Sequence, residues 1–386
     1  MRRILKRFTG LLCVLALCLS MLPMSALAAE DAPSNQPTTL LSDDNVAKIE
    51  ENEYPTLDEA VNAAEDGATI ELLADATTKG WNLTKSLTIT SAPDLAEKPT
   101  VTFEKDGIAL WGKTLTFKGI DVVMNGVGST PYGEWTWMTI CASKDAVLAL
   151  DNVNMTMDAT GSTGSPHAIY FCSNNKLNLT NGSVLTIKNY PNDALEWDGG
   201  DGGYNVNITN STFISDHNRS GFTGTFYATI TNSKVDVVNS LGNGSNGSHF
   251  IIEDSEVNFN NNGSHGLSAG ELSIDNSTVN TKNNNGMGIT VNNAFTVENG
   301  SIVTVTGNAG NSSYGYAAVR LYNDYPFTVD STSELYIEDN NNTGLYVRQG
   351  NLTVEDGAVL KITGNKVSHS LLDSYGGGIY VGYGNN

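Results

Sequence analysis

Cysteine is nearly absent from this chain. Four occur in 386 residues, at positions 13, 18, 141 and 172. That is too few for a disulfide framework, and the spacing suits no cysteine-based zinc site. Positive charge is also scarce, with 21 Lys and Arg against 42 Asp and Glu. So acidic a chain is a poor partner for nucleic acid or for an anionic membrane surface. Phosphate-cradling glycine loops and a Ser-His-Asp order are missing too. One long apolar run exists, residues 11–22, and no later segment could span a bilayer.

That run belongs to an N-terminal export signal. Arg2, Arg3, Lys6 and Arg7 precede it, and Ala26-Leu27-Ala28 supplies a small-x-small cleavage site. Residues 1–28 are therefore expected to be removed, taking Cys13 and Cys18 with them. The four basic residues also leave, so 17 basic face 42 acidic side chains and the net charge becomes −25. Residues 29–53 are polar and acidic without periodicity, which predicts a flexible leader.

What the chain has in abundance is a repeated turn. A short apolar run ends in Thr, Asp or Glu, then Asn or Asp, then Ser or Gly, and alternation restarts. Thr209-Asn210-Ser211, Thr231-Asn232-Ser233, Glu253-Asp254-Ser255, Asp275-Asn276-Ser277 and Glu298-Asn299-Gly300 are clear copies. With middle residues at 119, 152, 181, 210, 232, 254, 276, 299, 331 and 356, the steps are 33, 29, 29, 22, 22, 22, 23, 32 and 25. A floor at 22 with longer steps above it predicts stacked coils with loop insertions. Three period-2 runs fit in each coil. Asn at the turn tolerates the left-handed backbone of a sharp strand-to-strand bend, and stacked Asn amides can bond between coils. An α-helical solenoid would need longer repeats and helix formers in place of Asn, Thr, Gly and Val. The expected fold is all-β: a right-handed parallel β-helix, a single-stranded solenoid of about 22 residues per minimal coil, over residues 54–386.

Residues 54–73 predict the entrance to that solenoid. Thr56 and Glu59 match a capping box. Leu57, Ala60, Val61 and Ala64 share one helical face, Gly67 stops the helix, and a strand follows. A short helix followed by a strand resembles the N-terminal cap of pectate-lyase-like right-handed parallel β-helix proteins, in which the helix covers the open end of the core. The chain is thus similar to bacterial secreted or cell-surface repeat proteins of adhesin type.

Aligning the strand after the long Asn- and Gly-rich turn predicts two inward columns. One reads Met138, Ile169, Leu195, Phe222, Leu267, Ile289, Val319, Leu345 and Ile379. The other reads Ile140, Phe171, Trp197, Gly224, Ala269, Val291, Leu321, Val347 and Val381. Only the coil near Ser245 and Gly247 breaks both. The same register stacks Cys141 on Cys172, a disulfide candidate in an exported protein.

Two outward clusters emerge. Asp193, Glu196, Asp198 and Asp201 gather with His167, Tyr170, His217 and Arg219 on neighbouring coils. Paired carboxylates beside a basic group could serve a polysaccharide lyase or glycoside hydrolase acting on an acidic polysaccharide. In that reading Asp193, Glu196, Asp198, His217 and Arg219 are the catalytic candidates. The segment Asp198-Gly-Gly-Asp-Gly-Gly203 is a single Gly-Asp turn that could take Ca2+, although no metal site is assigned. Residues 264–268 (Ser-His-Gly-Leu-Ser) resemble the His-Gly element of polygalacturonase-type glycosidases. The coils before them offer Thr223, Thr225, Asn246 and Ser248 where that family keeps Asn-x-Asp and Asp-Asp. Met287, Thr290 and Asn292 stand where its basic element belongs.

The second cluster is Arg320, Tyr322, Tyr346, Arg348 and Tyr380, with Tyr314, Tyr316, Tyr325 and Tyr336 nearby. Alternating Arg and Tyr on a sheet face resembles a binding hot spot, and Tyr rings can stack on sugars. The expectation is a secreted or bacterial cell-surface β-helix protein that binds an extracellular glycan, mucin or host protein without a cofactor, nucleic acid or membrane insertion. A structural stalk of a longer surface protein is the other alternative. The chain stops at residue 386 inside a coil without an evident cap, so further residues or another subunit are expected to cover that end.

Overall fold

The computed structural model describes residues 45–131, 137–172, 174–197, 203–247, 249–308, 317–366 and 377–382. Residues 1–44, where the export signal is expected, lie outside them. The chain is a parallel β-helix. Each coil gives one strand to each of three faces before the next coil stacks on it. Among the described residues the first sheet has 14 strands and the second 12, and the third face is split into sheets of seven and five strands.

Register explains why the core is continuous. On the first sheet Leu148, Leu177, Val206, Ala228, Phe250, Leu272, Phe295 and Phe327 follow one another in direct ladder pairing. All are buried, with partly exposed residues between them along each strand. Period-2 alternation therefore sends one side of every strand into a shared interior.

The corners follow from the repeated turn. Asn152, Asn181, Asn210, Asn232, Asp254, Asn276 and Asn299 all hold φ between 42° and 57°, in the left-handed region. Their side chains also bridge coils: Asn276 Nδ2 donates to Asp254 Oδ1 at 2.6 Å and Asn232 Nδ2 to Asn210 Oδ1 at 2.5 Å. A Ser one or two places further on stacks from coil to coil in the same way. Ser233, Ser255, Ser277 and Ser301 each accept from the backbone N–H of the preceding Ser in the stack at 2.9–3.1 Å.

At the entrance, α1 (Leu57–Ala63) begins as expected. The hydroxyl of Thr56 accepts from the Glu59 N–H at 3.2 Å, and Leu57, Ala60 and Val61 are buried. The helix stops at Ala64, three residues before Gly67. Strands begin before residue 53, inside the segment expected to be a leader. Ala47–Ile49 and Asn52–Tyr54 are strands, antiparallel to each other, and the first pairs antiparallel with Ala68–Leu72. Burial of Ala47, with Val46, Ile49 and Tyr54 packed on the core, holds this hairpin over the sheet edge.

The third face divides where its sequence columns break. The seven-stranded sheet ends at Ser245–Asn246 and the five-stranded one begins at Leu267–Ala269. Ser245 points inward, fully buried, and its Oγ accepts from the Ser268 N–H at 2.9 Å. The small side chain leaves room that aromatic rings take. Phe250 and Phe259, from the other two faces, approach Phe222 at centroid distances of 5.7 and 6.4 Å.

Two details of the expected columns change. Ile140, not Met138, is in register with Ile169, and Ala142 pairs with Phe171. Alternation fails at Met138 and Thr139. Met138 packs with Cys141 and Tyr170 outside the main core, while Thr139 meets the buried Tyr190 hydroxyl at 3.2 Å. The second column also lapses at Gly224, a turn residue at φ 93°.

Candidate functional site

The described strand residues of both sequence clusters lie on the third face. At one end the strand Leu195–Trp197 runs parallel to His167–Phe171, with Glu196 beside Tyr170. Pairing continues past the strand ends, since the Ala168 N–H donates to the Asp193 carbonyl at 3.1 Å. This brings His167 and Asp193 side by side at the strand entrance. One ring nitrogen of His167 and one oxygen each of Asp193 and Glu196 all lie within 4.8 Å of one another. Nδ1 of His167 abuts Oε2 of Glu196. His167 and Asp193 are only 8% and 3% exposed.

Trp137 forms the outer wall of this pocket. Its ring meets His167 edge-on at 5.4 Å and Tyr170 at 4.8 Å. Burial, and next the charge of Glu196, push the Asp193 carboxyl up; a Ser220 hydrogen bond and the charges of Arg219 and His167 oppose them. Burial first, then the same two carboxylates, raises the Tyr204 phenol well above its ordinary value. Two carboxylates and one imidazole thus share a largely buried setting.

The other residues expected there are placed differently. Asp198 and Asp201, and with them most of the Gly-Asp turn, lie outside the described residues. His217 occupies a left-handed corner at φ 54°, exposed, with Nδ1 2.6 Å from Asp216 Oδ1. Arg219, also exposed, reaches the rim through a 3.4 Å hydrogen bond to Asn192 Oδ1. The sequence placed His167 near the acidic residues, but Trp137 was missed. Its signal, an aromatic residue just before the irregular Met138, could be read only with the register known.

Cys141 pairs with Tyr170 rather than stacking on Cys172, which sits one outward step further along the next coil. No disulfide joins them. A hydrogen bond with Cys172, and then burial, push the Cys141 thiol up.

At the other end of the face, Arg320, Tyr346 and Tyr380 are consecutive in one outward column. The Tyr346 and Tyr380 rings stack at 5.1 Å and 12°. The Arg320 guanidinium lies 3.8 Å over the Tyr322 ring and 5.5 Å from that of Tyr346. Arg320 is 7% exposed, so it is part of the wall rather than a free cation. Four of the five expected residues thus form one continuous unit, with Arg348 exposed just past the strand end. Tyr325 is exposed nearby. Tyr336 belongs to the second sheet, where its hydroxyl donates to Glu334 at 2.6 Å. Tyr314 and Tyr316 lie outside the described residues. His265 is a loop residue, its Nδ1 accepting from the Met287 N–H at 3.0 Å.

No protein-family model, curated protein or solved structure matches this chain.

Proposed function

We propose that this chain is an exported, adhesin-like binding protein that takes an extracellular glycan on the five-stranded part of its third face. The observation that carries the reading is the near-parallel stack of Tyr346 and Tyr380 beside Arg320 and Tyr322. Coil stacking spaces like positions about 4.8 Å apart, so the rings make a flat strip without any side chain having to reorganise. A strip of that kind suits the apolar faces of sugar rings, with phenol hydroxyls at its edge for hydrogen bonds. Holding Arg320 against two rings fixes the strip before ligand arrives, which lowers the ordering cost of binding. The strong acidity of the chain fits a solvated extracellular setting and disfavours anionic surfaces as partners.

The resemblance to pectate-lyase-like surface proteins is consistent with this reading at the level of the coil and its capping helix. A glycan array probed with the chain and with Tyr346→Ala tests it. Saturable signal on a defined set of glycans, lost in the variant, is the expected result. Equal signal from the two proteins would reject the strip as the binding site.

A further inference from the structure

We propose that His167, Asp193 and Glu196 form a binding site for one divalent transition ion of the zinc type. The three residues come from two adjacent coils, and among the described residues they are the one group of three such side chains with ligand atoms this close. Two carboxylates and one imidazole converge in a pocket walled by Trp137. Asp193 is almost fully buried, yet no hydrogen-bond donor among the described residues reaches its Oδ1. A buried carboxylate oxygen left in that state is costly unless a cation or donor meets it. Ser220 holds the Asp193 side chain by a hydrogen bond, the kind of second partner that orients a ligating carboxylate.

The donor set decides the class of ion. Calcium and magnesium prefer all-oxygen cages of six or more ligands, whereas imidazole with carboxylates suits zinc and its neighbours. A tetrahedral ion with bonds of about 2.1 Å has ligand atoms roughly 3.4 Å apart. In the structure one such atom from each of the three residues lies within 4.8 Å of the other two. Three protein ligands leave a fourth position for water or for an oxygen of a bound molecule. This site does not depend on the Arg–Tyr strip, and it stands or falls separately.

The test is calorimetric titration of the full, chelator-treated chain with Zn2+, Co2+ and Ca2+, with Co2+ absorption as a second readout. We expect one Zn2+ or Co2+ per chain, ligand-field bands with Co2+, and Ca2+ at least about tenfold weaker. His167→Ala and Glu196→Gln should abolish binding. Ser220→Ala should weaken it about 10- to 100-fold. The surface variant His217→Ala/His249→Ala should bind as the parent does. Glu196→Gln is nearly isosteric, so it reports even if His167→Ala fails to fold. Absence of saturable Zn2+ binding, Ca2+ binding as tight as Zn2+, binding that survives Glu196→Gln, or binding lost in the surface variant would each overturn the assignment.

Discussion

Asn284 and Asn308 are joined twice: the backbone N–H and the Nδ2 of Asn284 both donate to Oδ1 of Asn308, at 3.1 and 2.9 Å. The same double link ties Asn262 to Asn284 and Asn308 to Asn340. Each amide also caps a strand carbonyl, as Asn284 does for Phe259 at 2.8 Å. This buried ladder turns the corner between the second and third faces, and every rung depends on its neighbours.

Replacing one rung should therefore cost more than the bonds it makes. Asn284→Ala removes the acceptor for two donors of Asn262 and leaves the Phe259 carbonyl unmet. Each buried group so stranded costs ~1–3 kcal/mol. We expect a loss of roughly 3 kcal/mol or more in urea unfolding, built from those groups. Asn285→Ala, exposed next to it, should stay within about 0.5 kcal/mol of the parent. Equal effects of the two would contradict the ladder.

Glycine fills the position that the ladder crowds. A Cβ on Gly266 would lie 2.6 Å from the Asn284 amide nitrogen and 2.7 Å from the Gly288 carbonyl. Gly288 is confined in the same way by Val305 and Asn308. Gly266→Ala should destabilise by about 1–3 kcal/mol through overpacking. Gly182→Ala has open space around it but a φ of 81°, so its cost is backbone strain alone. Melting temperatures of the two variants separate clash from strain, and a harmless Gly266→Ala would refute the packing.

The sequence made the first corner readable because Asn210 and its counterparts need a left-handed backbone, and few other residues tolerate it. Ser245 betrayed the split of the third face because a polar side chain interrupted an apolar column. The second corner was not readable in the same way. Asn284 looks like one more surface turn residue until stacking buries it. Met138 misled for the opposite reason: it is apolar, but broken alternation turns it away from the core. The pairing of His167 with Asp193 needed the register of a loop entrance, which periodicity does not supply. Trp137 on that pocket had the same problem.

Stability should fall in acid over a defined window. Partial burial pushes the Asp158 carboxyl up, but hydrogen bonds from Asn189, Thr160 and Lys188 outweigh it and hold the group at about 2. Asp330 is likewise held at about 2, where burial is outweighed by bonds from Ser333, Asn299 and Thr332. In the unfolded chain both titrate near pH 4. Their contribution is therefore complete above about pH 4 and is lost as pH falls through about 2. The gap in melting temperature between the parent and Asp158→Asn/Asp330→Asn should be widest at pH 5 and shrink towards pH 2. A gap independent of pH would contradict the assignment.

The most direct test of the binding face compares two aromatic stacks. Tyr346 and Tyr380 stack on the third face at 5.1 Å and 12°, and Tyr227 and His249 stack on the first at 4.8 Å and 15°. Glycan affinity should be measured for the parent, for Tyr346→Ala/Tyr380→Ala and for Tyr227→Ala/His249→Ala. Two stacking rings at about 0.5–1.5 kcal/mol each predict that the first variant binds roughly 5- to 150-fold more weakly, while the second binds as the parent does. Equal losses in both variants, or a loss only in the second, would contradict the account.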